Sequence, residues 1–261
     1  MIKTGKELAA TVKKIATNYK TLYVMGCFGA PLKAEHKERY CKNCSYNKQP
    51  ARTAMIKAAS ADTFGFDCVC LIKGVLWGWN GDKNDVYGGA KYQDKDSGVP
   101  DIDCNTMMDR CSDISTDFSK IEIGEAVGMQ GHIGIYIGDG LAVECTPIWK
   151  NGVQITAVQN IGTKSGYNAR KWTRHGKLPY VTYEAAGASS SANKEKYTIG
   201  RTNAPVNVRA AASITSAIIT KLTEGAQVRL TGKTVQNSGY TWAEILYNGK
   251  LYYCDKKWIN G

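Results

Sequence analysis

No apolar run in this 261-residue chain reaches the roughly 18–20 residues that a membrane-spanning helix needs. The N-terminal stretch MIKTGKELAATVKKIATNYK has lysines throughout and lacks the apolar core, about 7–15 residues long, of a secretory leader. The expectation is a protein made in a cytoplasm, with no membrane span, that leaves by some route other than a leader. No long Lys/Arg cluster is present, and no nucleic-acid-binding motif. Histidine is scarce: only His36, His132 and His175 occur. A second CxxC is missing too, so the lone pair Cys41/Cys44 could only be half of a zinc site, completed by Cys27 or His36. Cys41 and Cys44 are weak metal candidates, thiols without a role are the plainer reading, and no cofactor is expected.

Cysteine itself is plentiful, nine in all. A cytoplasmic origin argues against a disulfide framework. The formal net charge is +11, which suggests polyanionic partners: nucleic acid, acidic membranes or phosphate-rich wall polymers. Composition does not choose among these.

Along the chain, Thr4 and Glu7 have capping-box spacing, and Leu8, Val12, Ile15, Ala16 and Tyr19 follow at helical intervals. Residues 31–62 read as charged and irregular until Pro50, after which ARTAMIKAASA reads as a helix. Asp67 can cap a further helix running to about Trp79. Residues 80–118 read as a long, partly irregular excursion. Short strand-like runs then follow as far as LPYVTY at 178–183, so an α+β domain with an antiparallel sheet is expected over 1–183. EAAGASSSANKEK, 184–196, reads as a flexible linker. Residues 197–261 hold only strand-like runs and predict a smaller all-β barrel. That tail has eight Lys/Arg against three Asp/Glu, more than twice the charge density of residues 1–183.

With Asp67 as the cap, Cys68 becomes the first residue of its helix, where unpaired N–H groups and the positive end of the dipole favour thiolate. Cys70 lies roughly 200° around the helix and faces elsewhere. A cysteine nucleophile needs a base. His36 and His175 lie in loops and read as having a solvated or incidental role, whereas His132 opens the strand GHIGIYIGDG between Gly131 and Gly134. The base needs an orienting partner, and Glu144 lies on the next strand. A two-residue Asp-Gly turn pairing Gly138 with Leu141 would put His132 and Glu144 on opposite faces. A three-residue Gly138–Gly140 loop would pair Ile137 with Leu141 and place Glu144 opposite Gly134, on the face of His132. The wider loop is therefore expected.

These residues resemble a known family. FDCVCLI looks like the nucleophile motif of the NlpC-type papain-like cell-wall peptidases, usually Asp-Cys-Ser-Gly-Leu-Val, and GHIGIYIGDG resembles their histidine strand. LYVMGCFGAP is similar to their Tyr-x-Trp-Gly-Gly segment, which makes Tyr23 the match for a tyrosine beside the catalytic thiol. The family's third polar residue falls on Glu144, where His, Asn or Gln is commoner and glutamate is closer to the related CHAP domains. The segments between Ala30 and Phe64 and between Asn80 and Phe118 are longer than the family core needs. In the tail, VNVRAAAS, EGAQVRLTG, TWAEILYNGK and Trp258 resemble bacterial SH3 domains in order, without the usual Gly-Pro element.

The combination resembles a bacteriophage endolysin, which would stay in the host cytoplasm until lysis and then act on the wall. The resemblance implies a monomeric hydrolase of peptidoglycan stem peptides, cutting between D-glutamate and the diamino acid and held to peptidoglycan and anionic wall polymers by its tail. Cys68, His132, Glu144 and Tyr23 would form its catalytic set. A CHAP-like muramoyl-alanine amidase or cross-bridge endopeptidase, and a wall-binding protein without activity, are the alternatives.

Overall fold

A computed structural model describes residues 2–183, 198–247 and 250–260. The chain divides into two compact units, Met1–Tyr183 and Glu184–Gly261. The linker expected at 184–196 lies outside the described residues.

The first unit begins with α1 (Gly5–Asn18). Thr4 accepts from the Glu7 N–H, and the Glu7 carboxylate accepts from the Thr4 N–H, so the capping box closes. Leu8, Val12 and Ile15 are fully buried, each contributing about 1.5–3 kcal/mol by leaving water. Next come β1 (Thr21–Tyr23), β2 (Phe28–Pro31), α2 (Ala34–Asn43), α3 (Pro50–Ala58), β3 (Phe64–Phe66), α4 (Cys68–Leu76) and α5 (Cys104–Asp109). α2 corrects the irregular reading of residues 31–49. Its inward positions are His36 and Tyr40, one turn apart, and neither residue type marks an apolar stripe. α5 and a short strand, β4 (Ser112–Ser115), likewise replace part of the irregular stretch expected at 80–118.

β1, β3 and β2 form a three-stranded sheet in that order. The main sheet runs β4-β10-β5-β6-β7-β8-β9, with β5 (Ala126–Met129), β6 (His132–Gly138), β7 (Leu141–Thr146), β8 (Gly152–Val158), β9 (Ala169–Arg170) and β10 (Arg174–Lys177). All its pairings are antiparallel except β8 with β9, so the expected α+β class holds. Every residue of α4 is buried, as befits a helix enclosed on all sides. Gly74 lets α4 press against β2, since a Cβ there would sit 2.3 Å from the Phe28 carbonyl oxygen. α4 also packs on β6 and β7, which brings the helix expected to carry the nucleophile against the strands expected to carry base and orienter.

The second unit is a seven-stranded antiparallel sheet ordered β13-β12-β16-β15-β14-β11-β17. Its strands are β11 (Thr198–Thr202), β12 (Val206–Arg209), β13 (Ile218–Leu222), β14 (Gln227–Asn237), β15 (Tyr240–Tyr247), β16 (Lys250–Asp255) and β17 (Ile259–Asn260). Val206, Val208, Val228, Leu230, Ile245 and Cys254 form its core. No helix among the described residues is long and apolar enough to cross a membrane.

Candidate active site

Asp67 caps α4 as its sequence suggests. One carboxylate oxygen accepts the Cys70 N–H at 2.7 Å and the other the Gly26 N–H at 2.7 Å. Burial pushes the Asp67 carboxyl up, against the pull of those two N–H groups. Cys68 is then the first helical residue and is buried at the mouth of α4. Tyr23 ends β1 in register with Phe66, two residues before Cys68. Burial raises its phenol, and the neighbouring Asp67, Cys68 and Cys145 raise it further. The Tyr23 ring meets Tyr46 edge-on at 5.8 Å, under the guanidinium of Arg52 at 5.5 Å.

His132 and Glu144 meet across the sheet. His132 Nε2 donates to Glu144 Oε2 at 2.7 Å. Glu144 lies opposite Gly134, the register the wider loop was expected to bring, yet that loop does not form. The turn is the two-residue Asp139-Gly140, with both residues at positive φ, and Gly138 pairs with Leu141. The extra residue is Ile137, which bulges out of β6 and shifts the register back by one. Gly134 matters here because a Cβ would stand 2.8 Å from the Val143 carbonyl oxygen and 3.2 Å from the Trp172 ring.

Sequence reasoning did not identify the residues that surround this pair. Glu144 is fully buried and accepts from Thr156 Oγ1 at 2.7 Å and from Arg170 Nε at 2.8 and 2.7 Å. Arg170 lies between the rings of Trp149 and Trp172, 4.9 and 5.5 Å from their centroids. Trp172 stacks on the His132 imidazole at 5.5 Å, 6° from parallel. Burial alone would raise the Glu144 carboxyl, but the hydrogen bonds from His132 and Arg170 outweigh it and hold the group below the usual carboxylate range. Thr156 was within reach of the diagonal-neighbour rule, since Gln154 is the residue paired with Glu144 and Thr156 lies two further along β8. Arg170 sits in a two-residue strand, too short to show a period.

Cys104 was also missed. It opens α5 behind the Asp103 cap, and its thiol neighbours that of Cys68. The neighbouring thiol pulls Cys104 down to about 7 and, together with burial, pushes Cys68 well up. The helix start was expected to favour thiolate at Cys68; the Cys104 thiol and burial raise it instead. Among the described residues, no hydrogen bond joins Cys68 to His132, and His132 Nδ1 makes none. Catalytic contacts of this kind often tighten only around substrate. Cys70 is buried as well, its thiol raised mainly by desolvation.

The cysteine-based metal site does not assemble. Cys27 is buried and Cys41 half-buried in one small apolar cluster, and His36 Nδ1 is engaged by the Pro31 carbonyl at 2.5 Å. No group of three or more His, Cys, Asp or Glu side chains among the described residues could hold a metal ion. His36 and His175 are not solvated loop residues either. Both are buried, one in α2 and one in β10: His36 finds an internal partner for Nδ1, and His175 for both ring nitrogens.

Residues 204–260 match the bacterial SH3 domain family. No curated protein matches the chain. A solved structure of Ly7917 with the hydrolyzing product of MDP is 14% identical, covers 54% of this chain and 60% of that one, and superposes with a TM-score of 0.18. The chain therefore spans about three-fifths of that protein's length. A second Ly7917 structure is 15% identical over 72% of this chain and 82% of that one, with a TM-score of 0.22. At such scores neither likeness bears on the fold or chemistry of this chain.

Proposed function

We propose that the chain is a peptidoglycan hydrolase that cuts an amide bond of the stem peptide by cysteine catalysis and is held to the wall by its bacterial SH3 domain. The observation that carries this reading is the state of His132. Its Nε2 is spent on a buried glutamate, its Nδ1 is unspent, and its strand packs against the helix that Cys68 opens. An imidazole fixed at one nitrogen and open at the other is what a general base requires.

In this reading substrate displaces Cys104 from Cys68. His132 Nδ1 takes the Cys68 proton, and the sulfur attacks the scissile carbonyl carbon. The Cys68 backbone N–H, which has no partner within the helix at its first position, donates to the resulting oxyanion. His132 then protonates the leaving amine as the C–N bond breaks. Water, deprotonated by His132, attacks the thioester and frees Cys68. Glu144 fixes the imidazole throughout and balances its charge while it is protonated. The buried Tyr23 helps shape the wall beside the sulfur. The bond between D-glutamate and the diamino acid is the proposed target, reached once lysis delivers the protein to the wall.

Cys68→Ala should abolish turbidity loss of purified walls while leaving co-sedimentation with them intact. Clearing by that variant would end the cysteine mechanism. Mass spectrometry of the released muropeptides identifies the bond, and a free muramic acid lactyl group in place of a new D-glutamate terminus would reassign it.

A further inference from the structure

The two segments longer than the peptidase resemblance requires, one holding α2 and the other running from Asn80 to Phe118, meet beside the first turn of α4. Together they wall a pocket of about 530 Å³. Met25, Gly26, Asp67, Val69 and Cys70 line it, so it opens beside the first turn of α4 without including Cys68 itself.

Five charged side chains reach this pocket, and four are already matched. Asp67 is used by the Gly26 and Cys70 N–H groups. Asp103 accepts from the N–H groups of Asn105 and Thr106 and from the Thr106 hydroxyl. Lys73 pairs with Asp101 at 2.5 Å and donates to the Ile102 carbonyl, while the Tyr92 hydroxyl takes the other Asp101 oxygen at 2.8 Å.

Arg39 differs. It has no carboxylate partner among the described residues, yet it is held in place. Its Nη1 donates to the Tyr87 hydroxyl at 2.7 Å, and its guanidinium lies 5.7 and 5.5 Å from the ring centroids of Tyr40 and Tyr87. An exposed arginine is ordinarily left to move. One fixed against two rings with most of its five N–H donors unspent presents a ready-made fork for a planar anion.

We propose that this pocket is a subsite for a free carboxylate on the peptide stem, with Arg39 as the residue that binds it. The inference rests on the peptidase reading and extends it to substrate choice: stems bearing a free acid beside the scissile bond are taken in preference to stems amidated there. An amide offers one oxygen and no charge to the fork, so it forfeits the charge-assisted pair.

The test uses the full-length Cys68→Ala protein, which binds without turnover. Calorimetric titration with a soluble stem tripeptide, once as the free acid and once amidated, should show the acid binding about ten-fold tighter or more. Adding Arg39→Gln should erase that difference. Tyr87→Phe, which frees the guanidinium but keeps its charge and ring contact, should reduce it in part. Equal affinity of the Cys68→Ala protein for the two forms, equal weakening of both by Arg39→Gln, or binding of neither form overturns the proposal. Turnover by the wild-type chain is measured separately. Acid preference without turnover keeps the subsite and removes the peptidase reading, and turnover without acid preference does the reverse.

Discussion

Two histidines of the main sheet each meet a buried glutamate, and the two pairs differ in what they leave free. His132 gives Nε2 to Glu144 and keeps Nδ1 unspent among the described residues. His175 meets Glu125 through Nδ1 in a very short contact and donates Nε2–H to the Asp117 carbonyl at 3.1 Å, so both of its nitrogens are used. Their glutamates diverge as well. Glu144 is held low against its burial by the hydrogen bonds from His132 and Arg170, whereas burial prevails over His175 and raises Glu125. A short His–Glu contact is therefore no mark of chemistry in itself. The unspent nitrogen and the Arg170 guanidinium are what set His132, the proposed base, apart from His175.

The largest effect expected from this contrast is on turnover. His132→Ala should lower kcat/KM on stem peptides by about 10³-fold or more, the range for losing a general base. His175→Ala should leave turnover within a few-fold but cost about 3–5 kcal/mol of stability, because it strands Glu125 in the interior. Steady-state kinetics and urea unfolding check the two together, and comparable kinetic losses would break the comparison.

Next in size is Arg170→Met, expected to cost about 10²-fold in kcat/KM. It leaves the buried Glu144 charge facing His132 alone, which favours the imidazolium, so the acidic limb of the pH–rate profile, where the base becomes protonated, should move up. Glu144→Gln should move that limb down. A limb unmoved by either change would deny Glu144 and Arg170 a shared role.

A smaller effect concerns stability against pH. Glu144 has a depressed folded pKa, so its contribution is complete above its ordinary value near 4.5 and is lost as pH falls through the depressed value. Glu125 has the opposite sign. Its contribution is complete below about 4.5 and is lost as pH rises through its raised value. Glu144→Gln and Glu125→Gln should therefore change the slope of unfolding free energy with pH in opposite directions, read by urea unfolding across pH. The smallest change expected is at Cys104: Cys104→Ser should remove the thiol that raises its Cys68 neighbour and lower the pH at which Cys68 alkylates.

Much of this site was legible beforehand because its signals are local. The Thr4 box, the Asp67 cap and the alternation of β6 and β7 each act within a few residues. What stayed hidden depends on distant chain. Arg170 reaches Glu144 across 26 positions, and nothing near either residue announces it. Cys104 meets Cys68 only because α5 forms inside a stretch that reads as irregular. The hairpin shows a third case: the facing of Glu144 and Gly134 was foreseen, but the turn was assigned the extra residue that a bulge at Ile137 supplies. α2 escaped because its buried side is made by His36, with one ring nitrogen satisfied internally, and by Tyr40.

The most direct test is the rate at which iodoacetamide alkylates Cys68 as pH varies, resolved by peptide mass spectrometry in the intact protein. At each pH, wild type and His175→Ala should alkylate Cys68 at the same rate, and His132→Ala more slowly. A profile for His132→Ala that overlays the wild type would show that this histidine does not serve the sulfur.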